Sequence, residues 1–142
     1  MVADDPALED LVFGADGIAS ALKAGCIHVS HSTISTALSR RLAAEHAHRN
    51  QGYVSAPVFG RDAAENRKLL IAAAGPPDLL DRCRPLFDAT GRRTCVVGDD
   101  PWQANAVKLC GNFTVASLLE ASEKPMRHCE KPRSLPKNSS TS

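Results

Sequence analysis

The chain has 142 residues and a formal net charge of +1, with 43% apolar and only 4% aromatic residues. That length suffices for one domain with a packed core, which the scarcity of aromatics makes aliphatic and alanine-rich. Near-neutral charge removes the electrostatic footing for nucleic acid or an anionic membrane as a main partner, and no apolar run is long enough to span a bilayer.

The predicted elements alternate. Acidic residues before Pro6 signal a helix start, and a helix over 7–13 ends at Gly14. A second short helix over 16–23 ends at Gly25. The run 26–30 reads as a buried strand, followed by a loop whose Ser or Thr residues can cap the next helix. That helix covers 36–50, with Leu38, Leu42 and Ala43 inward and the His46-Ala-His48 pair on the surface. A strand over 53–59 follows, then a loop or single helical turn over 60–66 and a continuous apolar strand over 69–74. A helix over 78–89 turns Leu79, Leu80, Cys83, Leu86 and Phe87 inward, and Pro85 should kink or split it. A last strand over 93–97 leads into a long helix over 106–121, where Val107, Cys110, Val115, Leu118 and Leu119 recur at helical spacing. Strands alternating with helices predict an α/β fold with a largely parallel sheet. From Ser122 three prolines, a Ser-rich end and no apolar period predict a disordered tail over 122–142.

Chemistry-bearing residues are few. The five cysteines are scattered, without a Cys-x-x-Cys, and read as reduced, buried thiols of a cytoplasmic protein. No metal centre is expected. Lys108 and Asn112 lie four apart on one helix face, where they either hold and protonate a polar substrate or form a solvated rim. His31, Ser32 and Thr33 follow a strand and precede a helix, the place where open α/β sheets collect ligands. Gly60 closes the next strand, where a missing Cβ lets a ligand approach the backbone or simply makes a turn. There is no Walker-type loop and no Gly-x-Gly-x-x-Gly.

Four stretches in order are similar to the β-hydroxyacid dehydrogenase superfamily, the 3-hydroxyisobutyrate and 6-phosphogluconate dehydrogenase type. They are Phe13-Gly-Ala-Asp-Gly17, Ser32-Thr33, Ala56-Pro-Val with Gly60, and Lys108-x-x-x-Asn112, spanning 1–121. The resemblance implies the C-terminal half of a Rossmann-like dinucleotide-binding domain over 1–100, then the start of the long inter-domain helix over 101–121. It implies NADP or NAD as cofactor, a small-molecule substrate, and hydride transfer between nicotinamide and a hydroxy acid, carbonyl or imine. Lys108 is implied as the proton carrier, Asn112, Gly60 and Arg61 as substrate-binding, and Asp5, Ser32 and Thr33 as cofactor-binding. Phe59 stands where the family has a substrate-binding Ser, and Arg61 where it has a second Gly.

The resemblance also places residues 1–5 at the end of the family's fourth strand. On that reading the chain is a fragment without the Gly-rich turn or the C-terminal helical domain. Such a fragment is expected to be marginally stable, to lack turnover alone, and to expose a sheet edge through which copies could pair. The rival expectation is a non-catalytic, degenerate fragment or protein-interaction module.

Overall fold

The computed structural model describes residues 1–2, 4–60 and 68–129, with side-chain surroundings through 122. The elements are α1 (Asp5–Phe13), α2 (Ile18–Ala21), β1 (Ile27–Ser30), α3 (Thr36–His48), β2 (Gly52–Ser55), β3 (Val58–Phe59), β4 (Leu69–Ala74), α4 (Pro77–Thr90), β5 (Gly91–Gly98) and α5 (Trp102–Cys129). The chain divides into two units, Met1–Cys110 and Gly111–Ser142.

Local signals place the helix ends. Asp4 caps α1 by accepting from the Ala7 amide at 3.0 Å, with Pro6 in the first turn. Ser35 caps α3 by accepting from the Leu38 amide at 3.1 Å. The chain leaves α3 through Asn50 at φ 54, a left-handed conformation that Asn tolerates. Pro85 neither splits nor ends α4. Pro85 and Asp81, whose carbonyl loses its donor, both lie on the exposed side, while Leu80, Cys83 and Phe87 anchor the buried one.

The sheet is largely parallel by residue pairs, with an antiparallel interruption. β1 pairs parallel with β2, from Ile27↔Gly52 to Ser30↔Ser55, and β4 pairs parallel with β5, from Leu69↔Gly91 to Ala74↔Gly98. Between the two pairs the direction reverses: β3 is antiparallel to β4, and Ser55 meets Ala74 antiparallel. The connection 60–68 is shorter than the dozen or more residues a parallel crossover needs, so the chain returns antiparallel. The expected single strand over 53–59 is two strands, because Pro57 between them has no N–H to give the ladder.

Successive residues of β2 feed opposite cores. Val54, with Ala56, Leu69, Ile71 and Ala73, packs on Leu80, Cys83 and Phe87 of α4. Tyr53 packs with Leu8, Val12, Ala19, Ile34, Leu38 and Leu42. Leu42 is fully buried, a placement that stabilises by about 1.5–3 kcal/mol over exposure. Two expectations fail on α4 and the cysteines. Leu86 is 44% exposed, on the Pro85 side of the helix. Among Cys26, Cys83, Cys95 and Cys110 only Cys83 is buried, and burial pushes its thiol up. The α5 helix continues past Ser122 to Cys129; residues 130–142 lie outside the described residues. Its part within the second unit exposes Phe113, Leu118 and Leu119. Among the described residues no helix is long and apolar enough to cross a membrane.

His46 is also not on the surface, although its neighbour His48 is. Gln51 spends its Nε2 on the carbonyls of Leu22 at 2.6 Å and Ala19 at 3.0 Å. Its Oε1 therefore accepts from His46 Nδ1 at 2.7 Å, which makes His46 Nε2 the acceptor for His28 Nδ1 at 3.0 Å. Two backbone carbonyls thus set both imidazole tautomers. Tyr53 stacks on His46 with ring centres 5.7 Å apart, and burial pushes its phenol up to about 12. Burial first, then His46 and the amino terminus, lower His28 from 6.5 to about 4; burial also lowers His46. An unfolded chain takes up the His28 proton as pH falls through 6.5, whereas the folded chain refuses it until about 4. The contribution is complete above that window and is lost as pH falls through it. Denaturant midpoints measured at about pH 7.5, 5.5 and 4 should fall in that order, with a loss on the order of 3 kcal/mol from His28. His28→Asn should flatten this part of the profile.

Candidate functional site

Parallel pairing brings the carboxyl ends of β1 and β2 side by side, with the loops 31–35 and 56–57 leaving together. They are latched to each other. The Ala56 amide donates to the Ser30 carbonyl at 2.8 Å, and His31 Nδ1 donates to the Ala56 carbonyl at 2.6 Å. Ser32 is 2% exposed, and its hydroxyl accepts from the Val2 amide at 2.9 Å. Thr33 is half-buried in the same loop.

The start of α5 reaches into this corner through Asn105, which is 0% exposed. Its Oδ1 accepts from the Ser55 hydroxyl at 2.6 Å, and its Nδ2 donates to the Ser32 carbonyl at 3.4 Å. One carboxamide thus ties α5 to the end of β2 and to the loop after β1. Arg40 of α3 stacks on the Trp102 ring at 4.0 Å and holds the same end of the helix. Three residues after Asn105, Lys108 shares its helix face. The Lys108 ammonium lies 3.9 Å from the centre of the Phe59 ring, on β3. Gly60 follows at φ 91, in the left-handed region that favours glycine.

Of the residues singled out in the sequence, Ser32 is joined through Asn105 to the helix that carries Lys108, and Lys108 stands over Phe59, next to Gly60 in the chain. Asp5 is turned to structural work: its carboxylate accepts from the Ser35 amide at 2.9 Å and fixes the loop before α3. Asn112 is exposed and belongs to the second unit. Arg61 lies outside the described residues. Sequence reasoning missed Asn105 and Ser55. A polar residue between Ala104 and Ala106, one turn before Lys108, was the available signal. Among the described residues no group of three or more His, Cys, Asp or Glu could hold a metal. A groove of about 320 Å³ lined by Leu80, Asp81, Arg84, Phe87, Val96 and Asp99, among others, shares no residue with this site.

The loops after β1 and β2 lie at the carboxyl ends of adjacent parallel strands, the place where open α/β sheets collect ligands. Residues 1–98 match the NAD-binding domain of 6-phosphogluconate dehydrogenase, and the chain belongs to that family. It is 40% identical over 132 residues to the oxidoreductase YfjR of Bacillus subtilis, covering 92% of this chain and 46% of the relative. It is 30% identical over 122 residues to 2-hydroxy-3-oxopropionate reductase of Escherichia coli, covering 85% and 41%. The crystal structure of 3-hydroxyisobutyrate dehydrogenase from Salmonella typhimurium superimposes with a TM-score of 0.80 at 25% identity, covering 88% of this chain and 44% of that one. The chain therefore spans about half the length of the relatives it matches.

Asn105→Ala should leave the Ser55 hydroxyl and the Ser32 carbonyl buried without this partner, at about 1–3 kcal/mol per group. Urea unfolding of the variant against wild type measures the loss.

Proposed function

We propose that this chain supplies the nicotinamide end and the proton carrier of an NADP- or NAD-dependent oxidoreductase of the β-hydroxyacid dehydrogenase type. One observation carries the reading: the Lys108 ammonium is held over the Phe59 ring at the end of β3, on a helix tied to Ser32 and Ser55 through Asn105. The buried Ser32 and the half-buried Thr33 suit the ribose and carboxamide end of a nicotinamide nucleotide. When bound, the nicotinamide gives or takes the hydride. Lys108 exchanges the accompanying proton with the substrate oxygen. Gly60, without a Cβ, lets a substrate carboxylate approach the backbone, and the family resemblance gives Asn112 and Arg61 substrate-binding roles. Asp5 serves the cofactor end through the loop it fixes. The expected setting is cytoplasmic, with copies pairing through an outer sheet edge.

A second reading, a non-catalytic interaction module, is favoured by the exposed apolar residues Phe113, Leu118 and Leu119. Titration with millimolar NADPH separates the two readings, because an interaction module shows no fluorescence change. In the longest natural polypeptide containing this sequence, with 2-hydroxy-3-oxopropionate as probe substrate, Lys108→Ala should lower kcat/KM by about 10²–10⁴-fold. Cofactor affinity should stay within about twofold, since the lysine acts on substrate oxygen. Turnover equal to wild type would remove Lys108 from the chemistry.

A further inference from the structure

Phe59 is placed with more support than a two-residue strand usually has. Phe59↔Leu70 and Val58↔Ile71 pair antiparallel with β4, and the Ala72 amide donates to the Pro57 carbonyl at 3.0 Å. The ring thus rides on the central sheet, facing the Lys108 ammonium at 3.9 Å. On the other side of that contact, α5 is pinned by Asn105 and by Arg40 on Trp102. Cation and ring are therefore presented to each other by two independently anchored elements. An aromatic face attracts an ammonium and has nothing to offer a neutral amine. The ring thus favours the charged form and helps to hold the long side chain.

We propose that Phe59 is a positioning residue that keeps Lys108 charged and aimed, so that the site works as a proton donor in carbonyl reduction. This rests on the functional reading given above. The carbonyl carbon gains hydride from a reduced nicotinamide, the C=O π bond breaks, and the oxygen takes the proton from Lys108 Nζ. The substrate gains two electrons and becomes an alcohol, the nicotinamide is oxidised, and the lysine is left neutral until solvent reprotonates it.

The test uses the longest natural polypeptide containing this sequence and the variants Phe59→Leu, Phe59→Tyr and Lys108→Ala. In wild type, the Lys108 ε-methylene proton signals should be shifted upfield by the ring. Phe59→Leu should abolish that shift and Phe59→Tyr should keep it. The alkaline limb of kcat/KM for carbonyl reduction should move down by about half to one pH unit in Phe59→Leu and stay in place in Phe59→Tyr. Retention of the upfield shift in Phe59→Leu overturns the proposal. So does an unmoved alkaline limb, even where overall activity falls, because that is the mark of a merely structural role. If Phe59→Leu does not fold, absence of the upfield shift in wild type or in Phe59→Tyr overturns the proposal on its own. Wild-type turnover in Lys108→Ala refutes the functional reading itself, whereas an inactive Lys108→Ala beside an unmoved limb in Phe59→Leu refutes only the role of the ring.

Discussion

The buried carboxamide of Asn105 is the contact on which the placement of Lys108 depends. It satisfies a hydroxyl on β2 and a carbonyl in the loop after β1, both out of reach of solvent. A buried amide has two donors and an acceptor to satisfy, and misplacing the helix would strand several of these groups at once. That cost gives α5 a defined register against the sheet. An apolar residue at the same position would give adhesion but little register, because dispersion contacts tolerate sliding.

The two cores follow from this sheet. Alternation along β2 sends Tyr53 to the side of α1 and α3, and Val54 to the side of α4. The Tyr53 side holds a polar seam within its aliphatic packing, running from the carbonyls of Ala19 and Leu22 through Gln51 and His46 to His28. Burial holds the two imidazoles neutral there, and each member of the seam has its partner. The seam lies apart from the Lys108 site, although β1 carries His28 at one position and ends at Ser30 beside the site. Loss of the seam in acid would act on the strand that supports the loop of Ser32.

Much of the element order was legible in sequence because its signals are local. Asp4, Pro6 and Ser35 mark helix starts by satisfying or lacking an N–H, and the apolar run of β4 is a buried strand at its predicted limits. The readings that failed needed information from distant parts of the chain. His46 looked like half of a surface pair, because its buried state depends on Gln51 and on two carbonyls far back in the chain. The antiparallel return from β3 to β4 was missed, because strand direction depends on the length of a connection, which apolar patterning does not weigh. The splitting expected as one outcome at Pro85 did not occur, because its side of α4 faces solvent.

By itself the sequence determined the family and singled out Lys108, Ser32, Thr33 and Gly60, since ordered motifs at fixed spacing survive without coordinates. It also marked Phe59 as the departure from the family pattern. Only the tertiary structure decided what that departure touches. Phe59 and Lys108 are far apart in the chain and meet because the sheet and α5 converge, as do Asn105, Ser55 and Ser32. No local period encodes such a meeting. It arises from chain return, strand pairing and the need of each buried polar group for a partner.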